Sequence, residues 1–361
     1  MAANKQLRTA VWALTPRGAA LARTIGAESP GSCLFLSEKV AVEEDDAATF
    51  SRLKDAVADR WNRFDGHVFI MATGIVVRTI AEHLKHKTAD PAVVVCDEAG
   101  RFAISLVSGH VGGANALARD VARITGGQSV ITTATDVNRL PAIDVIAVEN
   151  HLVIENPAAI KSVSMALLTG DRIAIHDPFG KVTPHLPADR IRPCAPAAFA
   201  PSEPAVFVDH VRLDLPPQVL VLRPASLVVG MGCNRGTDVD EMQGLLETSL
   251  AANHLAGTSL RMLATVDLKA DEPGLLALAE GLNIPLKTFS RDRLNQVDRV
   301  PTPSAMVEKH IGVKSVCEAA ALLATNRGRL IVPKQKTANV TVAIAADGYT
   351  SSASAPEVRN T

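Results

Sequence analysis

The sequence predicts an α/β fold: two α/β domains with mainly parallel sheets, joined by a smaller proline-rich middle domain. Three observations predict it. Short β-branched runs alternate with helical stretches over the first 150 residues. The same alternation returns after about residue 224. Between them prolines crowd the chain, at Pro178, Pro184, Pro187, Pro193, Pro196, Pro201, Pro204, Pro216 and Pro217. The expected divisions are an N-terminal α/β domain over 1–150, a small middle domain or elaborated linker over 151–223, and a C-terminal α/β domain over 224–348. Residues 349–361, rich in Ser, Thr, Ala and Asn, are expected to be a disordered tail.

Taken in order, Thr9 to Leu14 reads as a strand. Thr15-Pro16 then starts a helix, threonine capping and proline at the first helical position. Ser32 to Leu36 is a strand, Ala47 to Trp61 a helix, and His67 to Met71 a strand leading through Ala72-Thr73-Gly74 into a helix. Ala92 to Cys96 and Phe102 to Leu106 form a hairpin around Asp97-Glu98-Ala99-Gly100, acidic and glycine turn residues between apolar runs. A helix over Ala114 to Thr125 ends at Gly126-Gly127, and Ser129 to Thr133 is a strand. In the middle stretch only Arg172 to Ile175 and Ala205 to Val208 stand out as strands. The third stretch reads strand (Leu227 to Gly230), helix (Asp238 to Leu250), strand (Leu260 to Val266), helix (Gly274 to Gly281) and strand (Pro285 to Phe289). Closing strands follow near Leu330 and Val340.

Composition narrows the function. At 47% hydrophobic and 21% charged residues the chain has material for real cores, and 3% aromatic residues argue against stacking platforms for single-stranded nucleic acid. A net charge of -1 without a long basic run indicates neither a nucleic-acid nor an anionic-membrane partner. The five cysteines stand far apart with no CxxC pair, so neither a zinc ribbon nor a disulfide framework is expected. The short polar stretch Met1 to Arg8 has no apolar core of a secretory signal, and no apolar run approaches the roughly 18 residues of a membrane span. A cytoplasmic protein is expected.

Five loops could carry chemistry. Ser108-Gly109-His110-Val111-Gly112-Gly113-Ala114-Asn115 lies between a strand and a helix. Its glycines allow a tight turn, the helix start favours an anion, and its histidine suits proton transfer near neutral pH. A glycine-rich turn with a solvated histidine is the plainer alternative. Thr73-Gly74 with Arg78, and Thr132-Thr133-Ala134-Thr135-Asp136, would share its sheet edge if the strands are parallel. Each could equally be a helix cap. Gly230-Met231-Gly232-Cys233-Asn234-Arg235-Gly236-Thr237 lacks the lysine and hydroxyl of a phosphate loop, but its arginine suits a carboxylate. Cys233 has no histidine beside it in sequence, which argues against a nucleophile. Lys269 and Glu272 either contact substrate or, with Asp271, favour the start of the following helix. His83 and His86 read as a solvated helix face rather than metal ligands. Ser108, His110 and Asp136 are not a triad, since Ser108 and His110 alternate.

Five ordered blocks in the first domain resemble the cobalt-precorrin-5A hydrolase family: Ala72-Thr73-Gly74-Ile75-Val76-Val77-Arg78, Asp90-Pro91-Ala92-Val93-Val94-Val95, Asp97-Glu98-Ala99-Gly100-Arg101-Phe102, Ser108 to Asn115, and Thr132 to Asp136. Gly230-Met231-Gly232-Cys233, Arg235-Gly236, Ala264 to Gly274, Ser315 to Ala321 and Val340 to Ala345 continue it. The resemblance spans about residues 8 to 346 and is thinnest in the middle. It implies a three-part α/β enzyme of anaerobic cobalamin biosynthesis whose substrate is a cobalt-bearing tetrapyrrole with a δ-lactone and many acetate and propionate side chains. Water opens the lactone and the bridging carbon leaves as acetaldehyde, giving cobalt-precorrin-5B. The cobalt travels with the substrate, so no cofactor is expected, and the product would pass to neighbouring pathway enzymes.

The resemblance carries over no catalytic residue, so roles follow from chemistry. His110 is the expected base for water, N–H groups around Gly112 and Gly113 receive the oxyanion, and Glu98 is the acid or base at the departing carbon. Arg78, Arg235 and Lys269 would hold substrate carboxylates, within a set of contacts that adds Thr73, Gly74, Ser108, Gly109, Gly112, Gly113, Asn115, Thr135, Asp136, Gly232, Gly236 and Glu272. The alternative is a non-catalytic carrier of a corrinoid intermediate. A nicotinamide oxidoreductase would need a fingerprint that the chain lacks.

Overall fold

Thr9–Ala13 (β1) is buried at every position, so its alternating side chains must find apolar cover on both faces of the sheet. That requirement organises the first part of the chain. In the computed structural model, which describes residues 7–43, 46–86, 89–297, 301–302, 315–325 and 328–348, the chain forms two compact units, one up to Ile146 and one from Ala147.

In the first unit β1 is an inner strand of a seven-stranded sheet with Ser32–Ser37 (β2), Ala47–Phe50 (β3), Gly66–Ile70 (β4), Ala92–Cys96 (β5), Phe102–Val107 (β6) and Gln128–Val130 (β7). The order is β3-β2-β1-β4-β5-β6-β7. Val11, Val68, Ile70 and Val94 face Pro16–Glu28 (α1) and Ala114–Thr125 (α4). Trp12, Phe35, Phe69 and Val95 face Leu53–Arg60 (α2) and Thr73–Ile80 (α3). Trp12 stacks on Phe35 at 4.4 Å and donates its indole N–H to His67 Nδ1 at 3.2 Å. His67 in turn stacks on Trp61 and donates from Nε2 to the Trp61 carbonyl. Burial among these rings drives the His67 imidazole down to about 4, so it is a neutral core residue.

The caps fall where expected: the Thr15 hydroxyl accepts from the Gly18 N–H, and Gly126 closes α4 in the left-handed conformation. One element differs. The helix expected over Ala47 to Trp61 begins only at Leu53, because Ala47–Phe50 pairs in parallel with β2 and buries Phe50 beside Trp12. The short helix Ala134–Val137 (α5) and the first turn of Ile143–Glu149 (α6) end the unit.

The expected hairpin forms, and its consequence overturns another expectation. β6 runs antiparallel to β5, Val93 opposite Val107 and Cys96 opposite Ala103, while β7 runs parallel to β6. Loops after β1, β4 and β5 therefore emerge at one sheet edge, and those after β6 and β7 at the other. Thr73-Gly74 with Arg78 does not share an edge with Ser108–Gly113 and Thr132–Asp136.

In the second unit the proline-rich stretch carries a sheet of its own, Leu152–Ile154 (β8), Ile173–His176 (β9), Ile191–Pro193 (β10), Ala205–Val208 (β11) and Val219–Pro224 (β12), with the helix Ile160–Thr169 (α7). The order is β10-β9-β11-β12-β8. Fully buried Asp209 accepts from His176 Nε2 and from the N–H groups of His210 and Val211. Arg223 donates to the carbonyls of Asp209 and Val211. The third sheet is Leu286–Phe289 (β15), Leu260–Val266 (β14), Leu227–Cys233 (β13), Val340–Ala346 (β17) and Arg329–Lys336 (β16) in spatial order. Val239–Ala252 (α8) and Pro273–Gly281 (α9) cover one face. Arg291–Asn295 (α10) and Val316–Ala324 (α11) cover the other. The tail over 349–361 lies outside the described residues.

Gly230 in β13 lets α11 lie against bare backbone: a Cβ there would stand 1.8 Å from the Cys317 carbonyl oxygen. Gly230→Ala is therefore expected to cost about 3 kcal/mol, the upper end for overpacking, since the obstructing atom is backbone. A clear fall in thermal midpoint checks it; an unchanged midpoint would refute this packing.

Candidate active site

The edge where β6 and β7 end gathers a polar cluster from four segments. The turn after β6 is closed by its own backbone: Gly113 N–H donates to the His110 carbonyl, Ala114 N–H to that of Ser108, and Asn115 N–H to that of Gly109. Gly112 is required here, because a Cβ would lie 2.3 Å from Ser108 Cβ. Ser108 adopts φ 59°, and its buried hydroxyl has no hydrogen-bond partner among the described residues.

This turn presents His110 to the loop after β7. His110 Nε2 lies 3.0 Å from Thr135 Oγ1 and 3.3 Å from Asp136 Oδ2. Asp136 is itself held by donors: Thr133 Oγ1 at 2.6 Å, Asn115 Nδ2 at 3.0 Å, and the guanidinium of Arg119, one turn beyond Asn115 on α4. Asn115 accepts from Ser105 Oγ at 2.7 Å, which fixes its amide. On the other side of the ring, Nδ1 lies 3.8 Å from Asp144 Oδ2 in the first turn of α6.

The electrostatics follow. Asp144, then Asp136, raise the His110 imidazole above its ordinary value against partial desolvation. Asp144 is the more distant carboxylate, yet no Lys or Arg pairs with it among the described residues, while Asp136 shares its charge with Arg119. Burial alone would raise both carboxyls. Thr133 and Arg119 hold Asp136 below the usual range, and His110 does so for Asp144.

Of the expected residues, Ser108, Gly109, His110, Gly112, Gly113, Asn115, Thr135 and Asp136 belong to this cluster. Three expectations are corrected. Gly113 does not offer its N–H to an oxyanion, since that N–H is bound to the His110 carbonyl. Glu98 is not beside His110: it lies at the opposite edge and accepts from Thr15 Oγ1 at 2.6 Å. Thr73, Gly74 and Arg78 lie at that edge too, with Arg78 donating to the Gly74 carbonyl.

In the second unit Gly232, Arg235, Gly236, Lys269 and Glu272 do come together at the third sheet's edge. Glu272, fully buried, accepts from Gly236 N–H at 2.7 Å and Lys269 Nζ at 3.1 Å, which hold its carboxyl low against the opposing effect of burial. Arg235 donates to Asp271 and to the Leu268 carbonyl. Both cations are thus paired within the chain, Arg235 at the surface with Asp271 and Lys269 with the buried Glu272. Burial raises the Cys233 thiol, which works against a thiolate nucleophile.

Sequence reasoning missed Asp144, Arg119 and Ser105. The spacing of Asn115 and Arg119 on α4 was a usable signal, whereas nothing local ties Asp144 to His110.

Three family descriptions match in succession: cobalamin synthesis G N-terminal over residues 55–136, cobalamin biosynthesis central region over 141–224, and cobalamin synthesis G C-terminus over 227–345. A cobalt-precorrin-5A hydrolase of Salmonella typhimurium is 35% identical over 342 residues, covering 93% of this chain and 96% of that one. The chain belongs to the cobalt-precorrin-5A hydrolase (cobalamin synthesis G) family. A cobalt-precorrin-5A hydrolase of Priestia megaterium is 33% identical over 356 residues, covering 94% and 95%. The solved structure of CobE, a protein of the cobalamin biosynthetic pathway, is 34% identical over 34% of this chain and 90% of that one, with a TM-score of 0.32. Within the family match, His110 and Asp136 fall in the N-terminal region and Asp144 at the start of the central one.

The raised His110 value has a signed consequence for stability. Its interaction with the two carboxylates is fully present below the unfolded-state value of about 6.5 and is lost as pH climbs through the higher folded-state value. His110→Gln should therefore lower the unfolding free energy by about 1 kcal/mol at pH 6 and by less at pH 9. Thermal unfolding of both proteins at the two pH values measures it; an equal loss at both would contradict a charged His110.

Proposed function

We propose that this chain is a cobalt-precorrin-5A hydrolase of cobalamin biosynthesis. In this reading it opens the δ-lactone of a cobalt-bearing tetrapyrrole and releases acetaldehyde, leaving cobalt-precorrin-5B. The carrying observation is the end-to-end correspondence with relatives of that name, which covers nearly the whole of both chains. The cobalt is cargo of the substrate, and no helix among the described residues is long and apolar enough to cross a membrane. All five cysteines are free, as suits the cytosol, where we place the reaction.

His110 is the proton-transfer group in this reading, as the acid for the departing oxygen rather than the base for water expected from the sequence. It is about one quarter exposed, and a fixed network holds its ring on one side. Lactone opening demands a proton for the departing alkoxide, and the fragmentation that follows demands its removal. One positioned imidazole can serve both.

Anaerobic incubation with cobalt-precorrin-5A and assay of acetaldehyde tests the function directly. The parent is expected to release one equivalent, and His110→Ala to turn over at least roughly 10²-fold more slowly. Glu98→Gln, altered at the opposite edge, should stay within a few fold of the parent. Substrate binding without acetaldehyde would instead support a carrier of the intermediate.

A further inference from the structure

The geometry points to His110 entering the reaction as an imidazolium whose Nδ1 proton is the one delivered, with Asp144 as the positioning residue that keeps the ring charged. This rests on the hydrolase reading above. A neutral imidazole has one N–H and one lone pair. Each ring nitrogen of His110 here faces a carboxylate, Asp136 Oδ2 at 3.3 Å from Nε2 and Asp144 Oδ2 at 3.8 Å from Nδ1. Carboxylates only accept, so an N–H on each nitrogen suits both of them, whereas a neutral ring has to spend its Nε2 lone pair on the Thr135 hydroxyl at 3.0 Å with Asp136 still beside it.

His67 shows the contrast within the same unit. Its Nδ1 accepts from the Trp12 indole and its Nε2 donates to a carbonyl, the arrangement of a neutral ring.

The two contacts of His110 are unequal. Nε2 is bound by Thr135 and Asp136, whereas 3.8 Å is too long for a hydrogen bond from Nδ1. Asp144 thus supplies charge without tying up the proton. Asp136, engaged by Thr133, Asn115 and Arg119, fixes the ring instead. The other charged group of the cluster, Arg119, reaches His110 only through Asp136.

The chemistry balances. Water adds to the lactone carbonyl carbon, losing one of its protons to solvent, and the ring C–O bond breaks. The departing oxygen takes the Nδ1 proton, and the new carboxylic acid ionises to solvent. Neutral His110 then takes back the hydroxyl proton as the C–O bond becomes C=O. The neighbouring C–C bond breaks with its electron pair going to the macrocycle carbon, which takes one of the two protons released to solvent. Acetaldehyde leaves and His110 is again an imidazolium.

The test is Asp144→Asn in the full chain, with His110 followed by NMR titration of its ring C–H signal, assigned by its loss in His110→Gln. Acetaldehyde release is measured against pH in parallel. The expected result is a downward shift of the His110 midpoint and an alkaline limb of kcat/KM that moves the same way. That means a loss of roughly tenfold at pH 8.5 with near-parent rates at pH 6. Asp144→Glu, which restores the carboxylate, should recover the alkaline limb; equal losses in both variants at every pH would mark a merely structural role and overturn the proposal. A His110 midpoint unmoved by Asp144→Asn, or a parent rate that rises with pH through that midpoint, would overturn it while leaving the hydrolase reading intact. No acetaldehyde from the parent at any pH would remove that reading, and the proposal with it.

Discussion

The reversal of the chain at Asp97–Gly100 decides where everything else in the first unit can be. Asp97 Oδ1 accepts the Phe102 N–H at 2.8 Å, and Gly100, at φ 69°, returns its N–H to the Asp97 carbonyl. A parallel sheet normally sends its loops to one edge, where ligands collect. Here the hairpin turns β6 around, and β7, entering parallel to β6, inherits the reversed direction. The histidine turn and the Asp136 loop consequently meet each other. They do not meet the loops of the older parallel strands.

Much of this was legible in the sequence. Asp97-Glu98-Ala99-Gly100 between apolar runs announced the hairpin, Thr15-Pro16 announced a helix start, and the glycines around His110 announced a special turn. The Thr73, Ser108 and Thr132 loops do not share one edge because that required parallel strands, and the hairpin turns β6 antiparallel to β5. The helix assigned over Ala47 to Trp61 failed for a different reason. Alanines favour helices locally, but pairing with β2 and the burial of Phe50 beside Trp12 outweigh a preference worth tenths of a kcal/mol per residue. Asp144 was illegible because its meaning is its distance to a ring 34 residues earlier, as the difference of the two numbers gives.

The two glycine-rich loops of the chain make opposite uses of similar material. Around His110, two carboxylates flank one imidazole and the charge is left on a partly exposed ring. In the second unit, a fully buried carboxylate, Glu272, draws in an ammonium and a backbone N–H, and the neighbouring arginine closes on Asp271. The first arrangement leaves a proton to give; the second neutralises itself. A buried ion pair of that kind fixes geometry more than it adds stability. The sequence shows glycine, a cation and an acid in both places, and only the side-chain partners separate them.

The chain has two tryptophans, and Trp12 and Trp61 both lie against His67 on one face of the first sheet. Its intrinsic fluorescence is therefore a local signal. Emission excited at the indole band reports on the unit that carries His110 and is blind to the other two sheets, whereas far-ultraviolet dichroism weighs all three. Comparing the two signals during denaturation separates the melting of the unit that holds His110 from that of its covalent neighbour without any label or engineered probe.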